Sequence, residues 1–356
     1  TETISPQQSA QLLRDSLSVR QARSPVGLFT LPSVEAIQVA ARRSTLGNST
    51  LETLTAELNQ AGKASPQQTT ELYLKVRALA SIHPETCARL GQTLAGAPVN
   101  SVTFHVLSDA LADADNSQAQ AALVTVIGAR PDDADALLRL LPGLGSFHHP
   151  LPAAQDIMVW LMSSAVPNVA STARLALGAM AHNLESTESG RAQQIVDLIL
   201  RQLGGATSPQ EIGQILLALG NAGSARALPV LAHYAADPSP DLRAAALNSL
   251  RFVRSQEAEA LLASAGVLDP DAGVRLVVAR TFSFRTATPA GFQSQKLMLL
   301  QDPDTNVRLA VLRNLWGVRQ KFPEVENLMR RVARRDASKD VRNAAAELLR
   351  QATTPY

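Results

Sequence analysis

Apolar residues recur at helical spacing along most of the chain. Residues 67–82 carry Leu72, Val76, Leu79 and Ile82 among polar neighbours, which is the pattern of a helix with one buried face. Similar segments follow one another almost to the C-terminus, and short links containing Gly, Pro, Asn or Asp separate them. Alternation of apolar and polar residues with a period of two never persists beyond a few positions. The pattern therefore predicts an all-α chain built from many short helices.

The C-terminal third repeats one short motif four times. Each copy begins with Asp, a Pro follows it in three copies, and an Arg lies six positions after the Asp. Because Asp is a good N-cap and Pro fits the first helical turn, we expect each Asp to cap a helix. A second apolar segment fills the interval to the next Asp, so two helices per period of about 33 residues predict an α-solenoid. The copies are 32, 33 and 34 residues apart, and they contain Asp237 and Arg243, Asp269 and Arg275, Asp302 and Arg308, and Asp336 and Arg342.

The recurring arginine of this motif is interpreted as structural. Each of these side chains is expected to reach an Asp of its own or the neighbouring repeat and so to hold the stack together. A regular row of arginines could instead bind phosphates, and this alternative stays open.

The pattern divides the chain into a lead-in, an array and a tail. In the lead-in, residues 1–48, the sequence predicts a helix over 5–19, then an extended connector and a second helix over 32–41. Residues 49–351 are predicted to form one superhelix of about ten helical hairpins, regular from about residue 224. Residues 352–356 remain as a short tail.

Composition narrows the chemistry that this array can carry. Hydrophobic residues make up 46% of the chain and aromatic residues 4%, which suits a helical core rather than disorder. Cys87 is the single cysteine, so an internal disulfide framework and a Cys-only zinc site are excluded. Its place in a predicted helix indicates a buried, inert thiol. No apolar run is long enough to predict a membrane-spanning helix.

Positive charge gathers at the C-terminal end, although the formal net charge is only +2. Residues 305–356 hold eleven Lys and Arg against five Asp and Glu. Arg331, Arg334 and Arg335 would share one face of a helix, and Arg319 lies just before it, so these four form a candidate partner patch. The patch is either the polar cap that a terminal repeat needs or a docking surface for an acidic protein, phospholipid headgroups or nucleic acid.

Motifs of catalysis are absent from the sequence. It contains no G-x-S-x-G, H-E-x-x-H, Walker or G-x-G-x-x-G pattern. His148 and His149 are adjacent in a Pro-flanked loop and are interpreted as a solvated pair, because neighbouring rings seldom reach one metal. We therefore predict no catalytic, cofactor-binding or metal-binding residue.

The few aromatic residues give one further expectation each. Trp160 and Trp316 lie within apolar helical stripes and are predicted to pack in the core. Phe282, Phe284 and Phe292 surround one turn. They are predicted to seal the junction between two repeats, or to form a contact site if they are partly exposed.

The Asp and Val-Arg positions of the motif resemble the second-helix signature of HEAT repeats. The middle of the chain is similar, more specifically, to the superhelical region of the vitellogenin and microsomal triglyceride-transfer family of large lipid-transfer proteins. The similar segments occur in the family's order and read LSDALADADNSQAQAALVTVI (107–127), TARLALGAMAHNL (172–184) and LLALGNAGSARALPVL (216–231). The resemblance covers residue 49 to the end. In that family a β-barrel precedes the superhelix and lipid-enclosing sheets follow it, and neither is present in this chain.

The resemblance implies a non-enzymatic scaffold that forms the superhelical part of a larger, lipid-transfer-like protein. Its partners would then be the β-rich domains of that protein, and an extracytoplasmic location is implied. The alternative is a free-standing, cytoplasmic HEAT adaptor that binds a protein or peptide in its concave groove. An enzyme, either a HEAT-like DNA glycosylase or a bilin-lyase-type enzyme, is the minor alternative. Nucleic acid is disfavoured as a partner because the positive charge lies at one end rather than along a groove.

Overall fold

The structure, a computed structural model, describes residues 33–353, and all regular structure in that part is helical. This agrees with the predicted all-α solenoid. The described part contains nineteen α-helices: α1 (Val34–Leu46), α2 (Leu51–Gln60), α3 (Pro66–Ile82), α4 (Cys87–Gly96), α5 (Val102–Ala114), α6 (Ser117–Ala129), α7 (Ala134–Gly145), α8 (Pro152–Leu161), α9 (Pro167–Leu184), α10 (Ser189–Gln202), α11 (Pro209–Ala222), α12 (Leu228–Tyr234), α13 (Pro240–Ser249), α14 (Gln256–Leu268), α15 (Ala272–Phe282), α16 (Pro289–Gln301), α17 (Thr305–Gly317), α18 (Glu324–Arg335) and α19 (Lys339–Thr353).

The contacts divide the chain into two units, between Ala41 and Arg42. Of the first unit, the structure describes residues 33–41, and α1 begins there at Val34. The helix predicted over 5–19 and the connector after it lie outside the described residues, as do the last three residues of the tail. The boundary predicted at residue 48 stays a prediction. All that follows concerns the second unit.

The helices of the second unit pack in two rows. The first row consists of the odd-numbered helices from α3 to α19. Each of them contacts the next odd-numbered helix, so this row is continuous. The helices between them form a second row, in which contacts are sparser from α8 to α10, from α10 to α12 and from α16 to α18. Consecutive helices form hairpins across the rows. The result is a solenoid in which each helix pair contacts mainly its neighbours.

The helix starts differ in one respect from the prediction. The first Asp of each motif does not cap the following helix. Asp269 ends α14, and the N-cap of α15 is Asp271, whose side chain accepts from the N–H of Val274 at 3.0 Å. Asp304 caps α17 in the same way. The first Asp instead accepts from the N–H two residues later, which shapes the turn. In the second, third and fourth motifs its carboxylate also binds the arginine of the preceding motif.

Glycine permits very close approach between first-row helices in the middle of the array. A Cβ placed on Gly178 of α9 would lie 2.1 Å from the carbonyl oxygen of Ala218 in α11. A Cβ on Gly220 of α11 would lie 2.5 Å from the Cα of Ser249 in α13. No side chain fits at these distances, so the crossings of α9, α11 and α13 require glycine.

The two tryptophans occupy different environments. Trp316 is buried, as predicted, in a core cluster that extends from α15 to α19. Trp160 is 56% exposed, and the prediction that it packs in the core is wrong. The buried face of α8 consists of Ala154, Met158 and Leu161, and Trp160 is two positions from Met158, which turns it toward the opposite side of the helix.

Candidate functional site

Three of the motif arginines each bind the carboxylate of the next motif's Asp. In Arg275, Nε donates to Asp302 Oδ2 at 2.7 Å and Nη2 donates to Asp302 Oδ1 at 3.0 Å. The remaining nitrogen, Nη1, donates to the carbonyl oxygens of Asp269 and Pro270 in its own motif. Each guanidinium therefore joins two repeats. The same contact joins Arg243 to Asp269, Arg275 to Asp302 and Arg308 to Asp336.

These ion pairs are buried. The side chains of Arg275 and Asp302 are 8% and 3% exposed. Hydrogen bonding to Asp302 raises the pKa of Arg275 above its ordinary value, although burial acts the other way. Burial acts to raise the pKa of Asp269, but hydrogen bonds from Arg243 and from the N–H of Asp271 lower it overall. The row of pairs, called the Arg–Asp ladder below, therefore combines charge with two-pronged geometry.

The ladder is confined to the last four motifs. The ladder starts at Arg243. Asp237 of the same motif accepts from the N–H of Ser239, and the preceding repeat supplies no arginine to it, because Ile212 occupies the position of α11 that corresponds to the motif arginine. At its end, Arg342 donates through Nη1 to the carbonyl oxygens of Asp336 and Ala337. Within the described residues no carboxylate lies on the other edge of Arg342. Since carboxylates occupy the other three arginines, the geometry gives no support to a phosphate-binding row.

The candidate partner patch divides in the structure. Arg331, Arg334 and Arg335 are exposed on α18. Arg319 lies in the turn before α18, where its guanidinium covers the ring of Trp316 at 4.7 Å and donates to the Trp316 carbonyl oxygen. Three of the four predicted residues thus share one exposed face, and the fourth is held against the core.

The other reactive side chains have ordinary structural environments. Cys87 is buried and lies 3.6 Å from the Ala80 carbonyl oxygen, and desolvation raises the pKa of its thiol to about 11. His148 lies 2.7 Å from Asp115 through Nδ1. Over the described range 33–353, no group of three or more His, Cys, Asp or Glu is placed to hold a metal, and no helix there is long and apolar enough to cross a membrane.

The three phenylalanines around the α15–α16 turn separate into two environments. Phe282 and Phe292 are buried, and Phe292 stacks on Phe322 at 4.3 Å between ring centres. Phe284 is 60% exposed, and its ring centre lies 6.3 Å from that of Phe252, with the two ring planes nearly perpendicular. Two of the rings are therefore buried at the junction, as predicted, and the exposed third ring leaves the contact site a prediction.

Sequence reasoning missed the arginines near the two outer rings. Arg251, Arg254 and Arg285 line one surface cavity together with Phe252 and Phe284. One signal in the sequence could have pointed to this cavity: Phe252 and Phe284 are 32 residues apart, which equals one repeat.

Comparison with protein families identifies part of the array. Residues 196–283 match the family model of HEAT repeats. This region contains HEAT repeats. It includes the first pair of the Arg–Asp ladder, Arg243 and Asp269, and it ends just before Arg285.

Comparison with solved structures extends the likeness beyond the HEAT region. A structure of lipovitellin, described by its lipid–protein interactions, aligns over 92% of this chain with a TM-score of 0.51 and 16% identity. The alignment covers 36% of the lipovitellin chain, so this chain spans about a third of that protein's length. At this identity the likeness establishes the helical architecture and nothing further. A search of curated proteins finds no sequence that matches this chain.

Proposed function

We propose that this chain is a non-enzymatic helical scaffold that forms the superhelical part of a larger, lipid-transfer-like protein. The observation that carries the proposal is the alignment with lipovitellin over 92% of the chain. In this proposal the array braces a lipid-holding part contributed by other domains and does not enclose lipid itself.

The packing of the array supports a bracing role. Apolar side chains of the described residues fill two clusters between the helix rows, one from Leu46 to Phe282 and one from Ala279 to Ala345. A scaffold of this kind gains stiffness from close-packed neighbours and offers its outer faces for contact.

Native mass spectrometry followed by lipid extraction tests the bracing role. We expect the purified chain to have the mass of the polypeptide alone and to yield no lipid in stoichiometric amount. Stoichiometric lipid in the wild-type protein would contradict the proposal, because the array would then hold lipid without β-rich domains.

One observation favours the alternative of a HEAT adaptor. Trp160 and Val166 are both exposed and line one cavity of about 380 Å³ beside α8. An exposed tryptophan with an apolar neighbour is typical of a protein contact. The two functions differ in what surrounds the array: a gene that encodes β-rich segments on both sides supports the lipid-transfer module, and a gene without them supports the adaptor.

The candidate partner patch is proposed to dock an acidic protein surface in either context. The supporting observation is that Arg331, Arg334 and Arg335 are exposed on one face of α18. The double substitution Arg334→Glu and Arg335→Glu should weaken capture of an identified partner and reduce its dependence on salt. Arg201→Glu, at an exposed position of α10, is the matched control. Equal capture by wild type and the double variant would leave the patch as a polar cap.

A further inference from the structure

A surface cavity of about 550 Å³ lies where the loops after α13 and α15 meet. The loop after α13 supplies Arg251, Phe252 and Arg254, and the loop after α15 supplies Phe284 and Arg285. Glu259 of α14 completes the part of the lining that matters here. Three arginines thus face one carboxylate in a single cavity, which gives it a net positive charge.

Arg285 is oriented as the ladder arginines are. Its Nη1 donates to two backbone carbonyl oxygens, those of Leu250 and Val253, as Nη1 of Arg275 does to Asp269 and Pro270. In Arg275 this anchoring leaves Nε and Nη2 free to bind both oxygens of a carboxylate. In Arg285 the same two nitrogens donate to no atom of the described residues. The second edge of this guanidinium is therefore fixed in position and open.

No carboxylate of the described residues accepts a hydrogen bond from this edge, although the charge of Glu259 is nearby. Oε1 of Glu259 accepts from the hydroxyl of Thr288 and from the N–H of Gly291, so it belongs to the cap of α16. Arg251 donates to the Asn221 side chain and to the Asn248 carbonyl oxygen, both uncharged. Arg254 is exposed at the rim. Burial lowers the pKa of both Arg251 and Arg285, and for Arg285 the charge of Glu259 acts in the opposite direction.

An apolar wall stands beside the arginines. Phe252 carries the guanidinium of Arg251 over its ring at 5.0 Å, and it also contacts the rings of His182 and Phe284. Phe284 is 60% exposed although it is a large apolar side chain. Covering this ring with an apolar side chain would remove apolar surface from water, which favours binding.

We propose that this cavity binds a short acidic peptide segment, with a Glu or Asp carboxylate on the Nε–Nη2 edge of Arg285 and an adjacent apolar side chain on Phe284. A carboxylate is favoured because the same fork geometry binds carboxylates three times elsewhere in this molecule. The size of the cavity admits two or three side chains rather than a folded surface. The inference rests on the proposed scaffold function and names the chemistry of one of its protein contacts.

Selection from a random library of twelve-residue peptides displayed on phage tests the site. We expect peptides enriched on the wild-type chain to share an acidic residue next to an aromatic or aliphatic one. Their binding, measured by fluorescence polarisation, should weaken about tenfold or more in Arg285→Gln and several-fold in Phe284→Ala and Arg254→Gln. Arg201→Gln should bind as wild type does. The two exposed positions keep the test informative if Arg285→Gln disturbs the loop that it anchors.

Two variants of the selected peptide define the chemical group that the cavity binds. Replacing the selected acidic residue by Gln should abolish binding, and replacing it by phosphoserine should not improve it. No enrichment, a consensus without an acidic residue, unchanged affinity in Phe284→Ala and Arg254→Gln, or tighter binding of the phosphopeptide would each overturn the proposal. Failure of the site and failure of the scaffold function are separable: lipid found with the wild-type chain contradicts the bracing role only, and peptide results bear on the cavity only.

Discussion

Neighbouring repeats are joined by different contacts in the middle and at the end of this solenoid. From α9 to α13, first-row helices touch backbone to backbone, and glycine is required at Gly178 and Gly220. From α13 to α19, arginines extend from one repeat to the next and bind a carboxylate there. Helix α13 belongs to both regions, since it meets Gly220 on one side and carries Arg243 on the other.

The difference explains why only one region is conspicuous in the sequence. A polar pair recurs at a fixed period because each repeat supplies one donor and one acceptor. A glycine contact needs only a missing side chain, and the neighbour can be any small residue. The recurring Arg–Asp pairs are therefore easy to detect in the sequence. The sequence around a glycine contact, in contrast, cannot be told from that of an ordinary apolar helix.

The largest expected effect comes from removing one rung of the ladder. Arg275→Ala should lower the free energy of unfolding by about 4 kcal/mol, because it leaves the Asp302 carboxylate buried without a partner. Chemical denaturation measures the loss, and hydrogen exchange should locate it in α15 to α17. Arg280→Ala, at an exposed position of the same helix, should change stability by less than about 0.5 kcal/mol. A loss in Arg275→Ala no greater than in this control would show that the ladder does not stabilise the array.

A methyl group at the glycine contact should act on the other region. Gly178→Ala places a Cβ against the Ala218 carbonyl oxygen and should cost about 3 kcal/mol, since the two helices must separate. Gly190→Ala in α10 is the matched control, because nothing lies within 4 Å of its Cβ. The control should be neutral or stabilised by up to about 1 kcal/mol. We expect hydrogen exchange in Gly178→Ala to be faster in α9 and α11 and unchanged in α17. Equally faster exchange in all three helices would contradict the division into a middle and an end region.

Features that are local in sequence could be predicted, and features that depend on distant segments could not. The motif period gave the solenoid, because each helix pair is encoded within about 33 residues. The capping residue was misassigned because Asp269 and Asp271 both suit an N-cap, and only the arginine of the preceding repeat, Arg243, decides which one is used. The cavity arginines Arg251 and Arg285 were missed because they meet only when two loops, one repeat apart, lie side by side.

A pH-dependent effect should distinguish the ladder carboxylates from solvated ones. Because the pKa of Asp269 is lowered in the folded chain, its contribution to stability is present above the ordinary Asp value of about 3.9 and is lost as the pH falls through the lower, folded value. Asp269→Asn should therefore cost about 2 kcal/mol at pH 7 and clearly less at pH 3. Asp132→Asn, in an exposed loop, should match wild type at both pH values. A cost for Asp269→Asn that does not depend on pH would mean that shape, not charge, matters at this position.

The smallest effect uses Cys87 as a reporter within the first helices of the array. With a pKa of about 11, only about one thiol in a thousand is ionised at pH 8, and the side chain is fully buried, so a thiol reagent should modify it only when α4 opens. If the array behaves as a chain of neighbour contacts, Arg275→Ala should leave the rate of modification unchanged, because its lost contact lies at α15 to α17. Gly178→Ala is nearer to α4 and should raise the rate slightly, by less than about twofold to threefold. A large increase in the rate of Cys87 modification in Arg275→Ala would contradict the division into two regions, because the array would then open as one cooperative unit.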